Sequence, residues 1–368
     1  MSRLSSGRRW KLYFQRLQFA ALLGAAFGAA AGGLAFKPPL LMAVLGALSG
    51  VIDITTLMAF IGGAEIFLPR TRLGRALARA PFLVAVAVKA VTYMAVLVAV
   101  VGGRLGPRLA LFAVDADTAR LLVEQIESGM PRGLMIAVGA MVTFLLVLLR
   151  QATLLVGDRS MRDITLGRYR RPRTEERFFL FVDIVGSTPV AERLGPLAVH
   201  RYLDRIFELA SDPIDDHGGD VYQYVGDEIV VTWTVPDGRV EARPLACFFA
   251  IEEVLAGAAP DFERDFGAVP KLRAALHAGE VVTGETGGTK RVIVFHGDVM
   301  NTTSRIENAT RDLGRPFLVS EDALRRLEGA EDYMLEDLGP QQLRGRQAAL
   351  RVYAATPRNE LPSPVALK

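Results

Sequence analysis

Two carboxylates at the ends of strand-like runs are the first chemical feature of this sequence. Phe181-Val182-Asp183-Ile184-Val185-Gly186-Ser187-Thr188 reads as a strand that ends on an acid and then turns through small residues into a helix. Such a turn offers free backbone N–H groups to phosphate, which makes Gly186, Ser187 and Thr188 candidate substrate-binding positions. Tyr222-Gln223-Tyr224-Val225-Gly226-Asp227-Glu228 sets Gly-Asp between two more strand-like runs, as in a tight hairpin. Either motif alone is common as turn chemistry. Asp183 and Asp227 together, 44 positions apart with a helical pattern between them, form a more specific pair. Two hard carboxylates beside triphosphate oxygens suit Mg²⁺, and two metals could activate a hydroxyl and stabilise a pyrophosphate leaving group.

A third cluster is Gly297-Asp298-Val299-Met300-Asn301-Thr302-Thr303-Ser304-Arg305-Ile306-Glu307. Asn301 and Arg305 are four apart, so on a helix they project from one face. The pair reads either as a solvated polar face or as an amide that positions a ribose beside a guanidinium that neutralises a reacting phosphate.

These residues need elements to hold them. From Arg177 onward the chain alternates β-rich runs with helical patterns, the signature of a mixed α/β domain. The patterns predict strands at 178–183, 221–224, 229–234, 272–278, 292–296 and 317–320, and helices at 189–194, 197–216, 243–256, 299–310 and 321–327.

The first 157 residues differ in character. A chain of 368 residues has room for two domains, and 51% hydrophobic residues is high for one soluble globule. Four apolar stretches, at 19–36, 40–68, 82–103 and 133–149, approach or exceed the roughly 20 residues a spanning helix needs. Four spans put both termini on one side of a membrane. Arg3, Arg8, Arg9, Lys11 and Arg16 before the first stretch, with Arg70, Arg72, Arg75 and Arg79 between the second and third, make that side cytoplasmic. The expected arrangement is a multi-pass inner-membrane domain over residues 1–157. A cleaved signal peptide is the rival reading of the first stretch; it would leave three spans and place the C-terminal half outside.

Within that half, Gly24, Gly28 and Gly32 form a small-residue stripe for close helix packing, within the bundle or between chains. Asp53 and Lys89 fall at matching depths, about 20 Å from one edge and about 10 Å from the other of a layer about 30 Å thick, so they are expected to pair, for structure or for sensing. None of the four histidines (His200, His217, His277, His296) lies there, which excludes bis-histidine haem ligation between spans. The single cysteine, Cys247, allows no internal disulfide, and a net charge of +3 without aromatic-interleaved basic patches gives no nucleic-acid footprint. Residues 158–176 are charged and contain Pro172, which reads as a linker that stops a helix descending from the last span. A catalytic domain at 177–357 and a flexible tail at 358–368 complete the expected organisation.

Over about Arg177 to Ala355 the motifs resemble those of the class III nucleotidyl cyclases. The run through Asp183 is similar to that family's first metal motif and Val225-Gly226-Asp227-Glu228 to its second, while Asn301 and Arg305 fall on its transition-state asparagine and arginine. Leu272-Arg273-Ala274-Ala275-Leu276-His277-Ala278-Gly279 resembles its central strand. Leu343-Arg344-Gly345-Arg346, followed by Val352-Tyr353, resembles its closing hairpin, and Gly167 to Pro172 is similar to the connector of bacterial members with four membrane helices. The resemblance implies an α+β domain with a palm-type, ferredoxin-like sheet flanked by helices, behind the four-span membrane domain. It implies a homodimer with two shared sites, in which Asp183, Ile184 and Asp227 hold two Mg²⁺, with Mn²⁺ able to substitute, and the partner chain supplies Asn301 and Arg305. Gly186, Ser187, Thr188, Arg344 and Arg346 would then meet the phosphates of ATP, and the ribose 3′-hydroxyl would attack the α-phosphorus to give 3′,5′-cyclic AMP and pyrophosphate.

The sequence departs from the family at the base. The two base-reading positions hold Gln223, whose amide can satisfy either adenine or guanine, and Val294, whose side chain can read neither. Guanylate cyclase activity is therefore the alternative, and an inactive cyclase-like docking domain on a membrane receptor a further one. A diguanylate cyclase shares a similar acidic hairpin, but the Asn301 and Arg305 helix speaks against it.

Overall fold

The computed structural model describes residues 80–103, 157–288, 291–343 and 348–358, with scattered helical residues between 18 and 153. The chain divides into two compact units, with the break between Val156 and Gly157.

In the N-terminal unit the third apolar stretch is helix α1 (Phe82–Gly103), with the bounds expected from sequence. Val86 and Tyr93 on α1 bury against Val147, with Ile61, Ala64 and Leu148 packed around them. Among the described residues no helix is long and apolar enough to cross a membrane, and the side chains of α1 are themselves described only in part. The Gly24 stripe and Asp53 lie outside the described residues.

The second unit is built on a mixed sheet. Its strands are β1 (Arg173–Ile184), β2 (Asp220–Val225), β3 (Glu228–Thr234), β4 (Leu272–Thr286), β5 (Val292–His296), β6 (Phe317–Ser320), β7 (Tyr333–Gln341) and β8 (Leu350–Pro357). The order is β2-β3-β1-β4-β6-β8-β7, with β5 paired to the far half of β4; β4 and β6 run parallel and the other pairs antiparallel. β1 is central and buried from Arg177 to Ile184, which is why it reads as a nearly unbroken apolar run. Phe178, Leu180, Val182 and Ile184 face a core covered by α4 (Pro196–Asp216), α5 (Arg243–Gly257) and α6 (Ala259–Phe266). Before α4 come α2 (Asp158–Thr165) and α3 (Ser187–Leu194). Phe179 and Phe181 point to the opposite face, where Val299 of α7 (Asp298–Leu313) covers them. Each buried aromatic there contributes about 1.5–3 kcal/mol, enough to seat α7 on the sheet. Gly279 makes that contact possible, because a Cβ there would stand 2.7 Å from Val299 Cγ2. The short α8 (Glu321–Leu324) follows β6.

The sheet corrects several expectations. β4 runs to Thr286 rather than Ala278, because its far half, broken up by Gly279 and Gly284, gains its partners from β1 and β5 rather than from an alternating pattern. α6, β7 and β8 have no counterpart among the strands and helices predicted from pattern, and the helix begun at Glu321 stops at Leu324. Of the tail expected at 358–368, residues 359–368 lie outside the described residues.

The segment expected to be a linker is folded. α2 ends at Thr165, ahead of Pro172, and Gly167 turns the chain with φ 61°. Tyr169 is 1% exposed. Its hydroxyl donates to Glu175 Oε1 at 3.1 Å and accepts from Arg177 Nη2 at 3.2 Å, while Arg177 Nε donates to Glu175 Oε1 at 2.7 Å. Thr283 donates to the same carboxylate at 2.7 Å, and the Glu285 amide donates to the Tyr169 carbonyl at 3.0 Å. Burial alone would raise the Glu175 carboxyl, but the Arg177, Thr283 and Tyr169 hydrogen bonds leave it below its ordinary value. Tyr169→Phe keeps the ring and removes two hydrogen bonds, so we expect the C-terminal unit to lose about 1 kcal/mol in chemical denaturation. Unchanged stability would show that the hydroxyl contributes nothing.

Candidate active site

The register of three strands assembles the site. Asp183, near the end of β1, pairs with Glu228 on β3 and with Arg273 on β4, so the three side chains stand in a row on one face. Asp227 precedes Glu228 in the β2–β3 turn, where Gly226 takes φ 63°, a conformation suited to glycine. From α7, Glu307 reaches down to the row. Arg273 Nε donates to Glu307 Oε1 at 2.5 Å, and its Nη2 pairs with Asp183 Oδ2.

Like charges crowd here. Burial, and then the charge of Asp227, pushes the Asp183 carboxyl up to about 6, with Glu307 adding to the rise and Arg273 opposing it. Burial pushes Glu228 up to about 7, helped by Glu307, Asp183 and Asp227. Burial would lower Arg273, yet the charges of Glu307 and Asp183 keep its guanidinium above the ordinary value.

Among the described residues no group of three or more His, Cys, Asp or Glu side chains is arranged to hold a metal. Magnesium asks for less, since one or two protein carboxylates suffice when phosphate and water complete its shell. The donor set fits that demand: two carboxylates at the rim of a sheet, close enough that the charge of Asp227 adds to the rise that burial gives Asp183. Asp183 and Asp227 are the carboxylates that would hold the ion. Ile184 could add only its backbone carbonyl, because its side chain is 2% exposed in the core on the other face of β1.

The other sequence-predicted residues divide. Gly186 takes φ 71° as the N-cap of α3, so the Ser187 and Thr188 amides stand in the first turn, where no intrahelical acceptor exists. Asn301 is exposed and Arg305 half-buried on α7. Arg305 and Glu307 are two residues apart, which turns them about 200° from each other around the helix. Glu307 faces Asp183, so Asn301 and Arg305 face away from the carboxylates of their own chain. Gln223 is exposed on β2 just after a bulge, paired with Val230 of β3, and its side chain has no hydrogen-bond partner among the described residues, and Val294 is half-buried on β5 opposite Gly284. Arg344 and Arg346 lie outside the described residues.

Sequence reasoning missed Glu228, Arg273 and Glu307 as members of the site. Arg273 had a signal, a cation inside the apolar run Leu272 to Ala278, and a charge inside a buried strand calls for a partner.

The profile of the adenylate and guanylate cyclase catalytic domain matches residues 170–355, half of the chain, and the chain belongs to that family. Adenylate cyclase 2 of Rhizobium meliloti (strain 1021) is 42% identical over 202 residues, covering 55% of this chain and 56% of that protein. An adenylate cyclase of Anabaena cylindrica is 27% identical over 186 residues, covering 49% of this chain and 36% of its own length. The chain thus spans little more than half, or less, of these relatives. A solved bacterial light-regulated adenylyl cyclase superposes with a TM-score of 0.52 at 18% identity, over 62% of this chain and 66% of that one, a likeness of fold.

The raised acids carry a stability signature. Glu228 holds its proton to about pH 7 when folded but only to its ordinary 4.5 when unfolded. Between those values the folded state binds more protons, so its stability falls as pH rises through the window. Glu228→Gln removes that loss. Relative to wild type we expect the variant, free of divalent metal, to gain on the order of 1–2 kcal/mol between about pH 5 and about pH 7.5, after allowance for solvent screening. Calorimetric melting at the two pH values checks it, and a gap that does not widen with pH contradicts the crowding.

Proposed function

We propose that this chain is an adenylate cyclase that converts ATP to 3′,5′-cyclic AMP and pyrophosphate. The observation that carries this reading is the row Glu228–Asp183–Arg273, with Asp227 beside it, under a helix that displays Asn301 and Arg305 on its far side. The family supports the reaction class, and the names of the relatives favour adenine.

In this reading Asp183 and Asp227 would hold two Mg²⁺, for which Mn²⁺ could substitute. Bound there, the metal would lower the pKa of the ribose 3′-hydroxyl and offset charge on the departing pyrophosphate. The first-turn amides at Ser187 and Thr188 receive phosphate oxygens, with Arg344 and Arg346 proposed to add positive charge. Asn301 orients the ribose and Arg305 neutralises charge gathering at the α-phosphoryl group. Because those two side chains face away from the carboxylates of their own chain, a complete site takes them from a second copy, which supports a homodimer with two shared sites. Gln223 reads the base with an amide that also suits guanine, so GTP is the competing substrate.

The same proposal anchors the chain in the inner membrane through four spans, with both termini in the cytoplasm where ATP is found. Leu83, Val84, Val88 and Val91 of α1, together with Phe144, Leu145 and Leu149, are exposed large apolar side chains, which a hydrocarbon environment would cover.

Purified chain given Mg²⁺ or Mn²⁺ with ATP and GTP in competition should yield cyclic AMP as the main product, and Asp183→Asn or Asp227→Asn should reduce turnover by about 100-fold or more, the scale on which essential electrostatic groups act. Cyclic GMP as the main product would replace the substrate and keep the mechanism; undiminished turnover in either variant would remove the carboxylates from it.

Two inactive chains should also rescue each other. Mixing Asp183→Ala with Asn301→Ala creates heterodimers that hold one intact site, so activity should return to about a quarter of wild type if chains pair at random, one site in half of the dimers. Dimers that form without recovery would show that each chain carries its own complete site.

A further inference from the structure

Arg273 stands where an arriving metal needs room. Its guanidinium lies between two carboxylates that are both largely buried, pairing with Asp183 through Nη2 and with Glu307 through Nε. The side chain of Arg273 is 17% exposed, so this is an interior arrangement rather than a passing surface pair. Asp183 has Glu228 on its other flank, and Asp227 beside that, so among the described residues Arg273 is the cation that balances the row. A divalent ion on Asp183 and a guanidinium on the same carboxylate repel each other across a few ångströms, where partial burial leaves the repulsion only partly screened. Both cannot hold Asp183 at full strength.

Glu307 decides where Arg273 goes once it releases Asp183. It is 5% exposed on α7 and would be stranded without its cation, so Arg273 has reason to keep that bond when it gives up the other. The guanidinium then pivots about Glu307 instead of leaving.

Building on the cyclase reading above, we propose that Arg273 is a built-in counter-ion that occupies the metal half-site until nucleotide arrives, with Glu307 as the positioning residue that retains it. Free divalent ion must compete with Arg273 for Asp183 and binds weakly. A triphosphate offers the guanidinium a new anionic partner, so Asp183 is freed at the moment the nucleotide brings its own metal. Metal and nucleotide are then linked through a residue of the protein as well as through the direct bond between them, and the site does not load metal ahead of substrate.

The test is metal binding rather than turnover. Mn²⁺ is titrated against the full-length protein without nucleotide, with free Mn²⁺ followed by electron paramagnetic resonance and heat by calorimetry. Wild type is expected to bind weakly and Arg273→Gln at least about tenfold more tightly, a change of ~1.4 kcal/mol. A triphosphate that lacks the 3′-hydroxyl should tighten Mn²⁺ in wild type by a larger factor than in the variant, since only wild type has a guanidinium to move. Glu307→Gln should weaken the nucleotide more than the metal, appearing as a raised KM with a smaller change in kcat. Arg273→Gln strands Glu307 and could fail to fold, which circular dichroism would reveal; the double variant Arg273→Gln/Glu307→Gln removes both sides of the pair and must then show the same tightening. Mn²⁺ affinity that is unchanged or weaker in the folded variant overturns the proposal. That result would leave the cyclase reading intact, because the product assay on wild type decides it separately.

Discussion

Among the described residues four carboxylates crowd the end of β1 and one guanidinium, that of Arg273, pairs with two of them, and the rest of the site depends on that imbalance. Asp183 and Glu228 are driven together by strand register, Asp227 by the hairpin turn, and Glu307 by the seating of α7 on Phe179 and Phe181. None of these placements is set by attraction between the acids. The apolar core holds them at close quarters against their mutual repulsion, and burial keeps water from screening it. A site so built takes positive charge from whatever source offers it. Among the described residues that source is Arg273; in the proposed reaction it is the metal.

The acids were legible in sequence because each sits at a boundary. Asp183 ends an apolar run and Asp227 fills a two-residue turn, and period-2 patterning marks such places. Asn301 and Arg305 were legible as an i, i+4 pair. The phase of that pair against Glu307 was equally present, but it acquires meaning only once Glu307 is known to touch Asp183 through Arg273. Arg273 and Glu307 are 34 residues apart and on different elements, so no local pattern joins them. The far half of β4 was missed for a related reason, since partners on both sides of a central strand replace the alternation that a half-exposed one must show.

The connector was misread for want of a long-range partner too. Residues 158–176 look like a charged tether, yet Glu175 and Arg177 belong to β1 and Tyr169 closes over them. Charged composition predicts exposure only when the charges have no one to pair with. Thr283 on β4 and Thr232 on β3 supply hydroxyls to this group, and Arg177 also lies 4.8 Å from the Phe295 ring centroid.

Glu175, Arg177, Phe179, Phe181 and Asp183 alternate along β1 and so share one face. That face is ionic at both ends and aromatic between. Phe295 of β5 touches the near ionic end through Arg177 and the aromatic middle through Phe179, at 5.3 Å between ring centroids, and α7 begins two residues after it leaves β5. Breaking the buried Glu175–Arg177 pair would strand a charge at a cost of about 3–5 kcal/mol, which is a large part of a domain's whole stability. Tyr169 cannot leave this group without loosening both partners. The connector from Tyr169 onward, β1, β5 and the start of α7 are therefore held as one body, and the helix that carries Asn301 and Arg305 takes its position from the same strand face that carries Asp183.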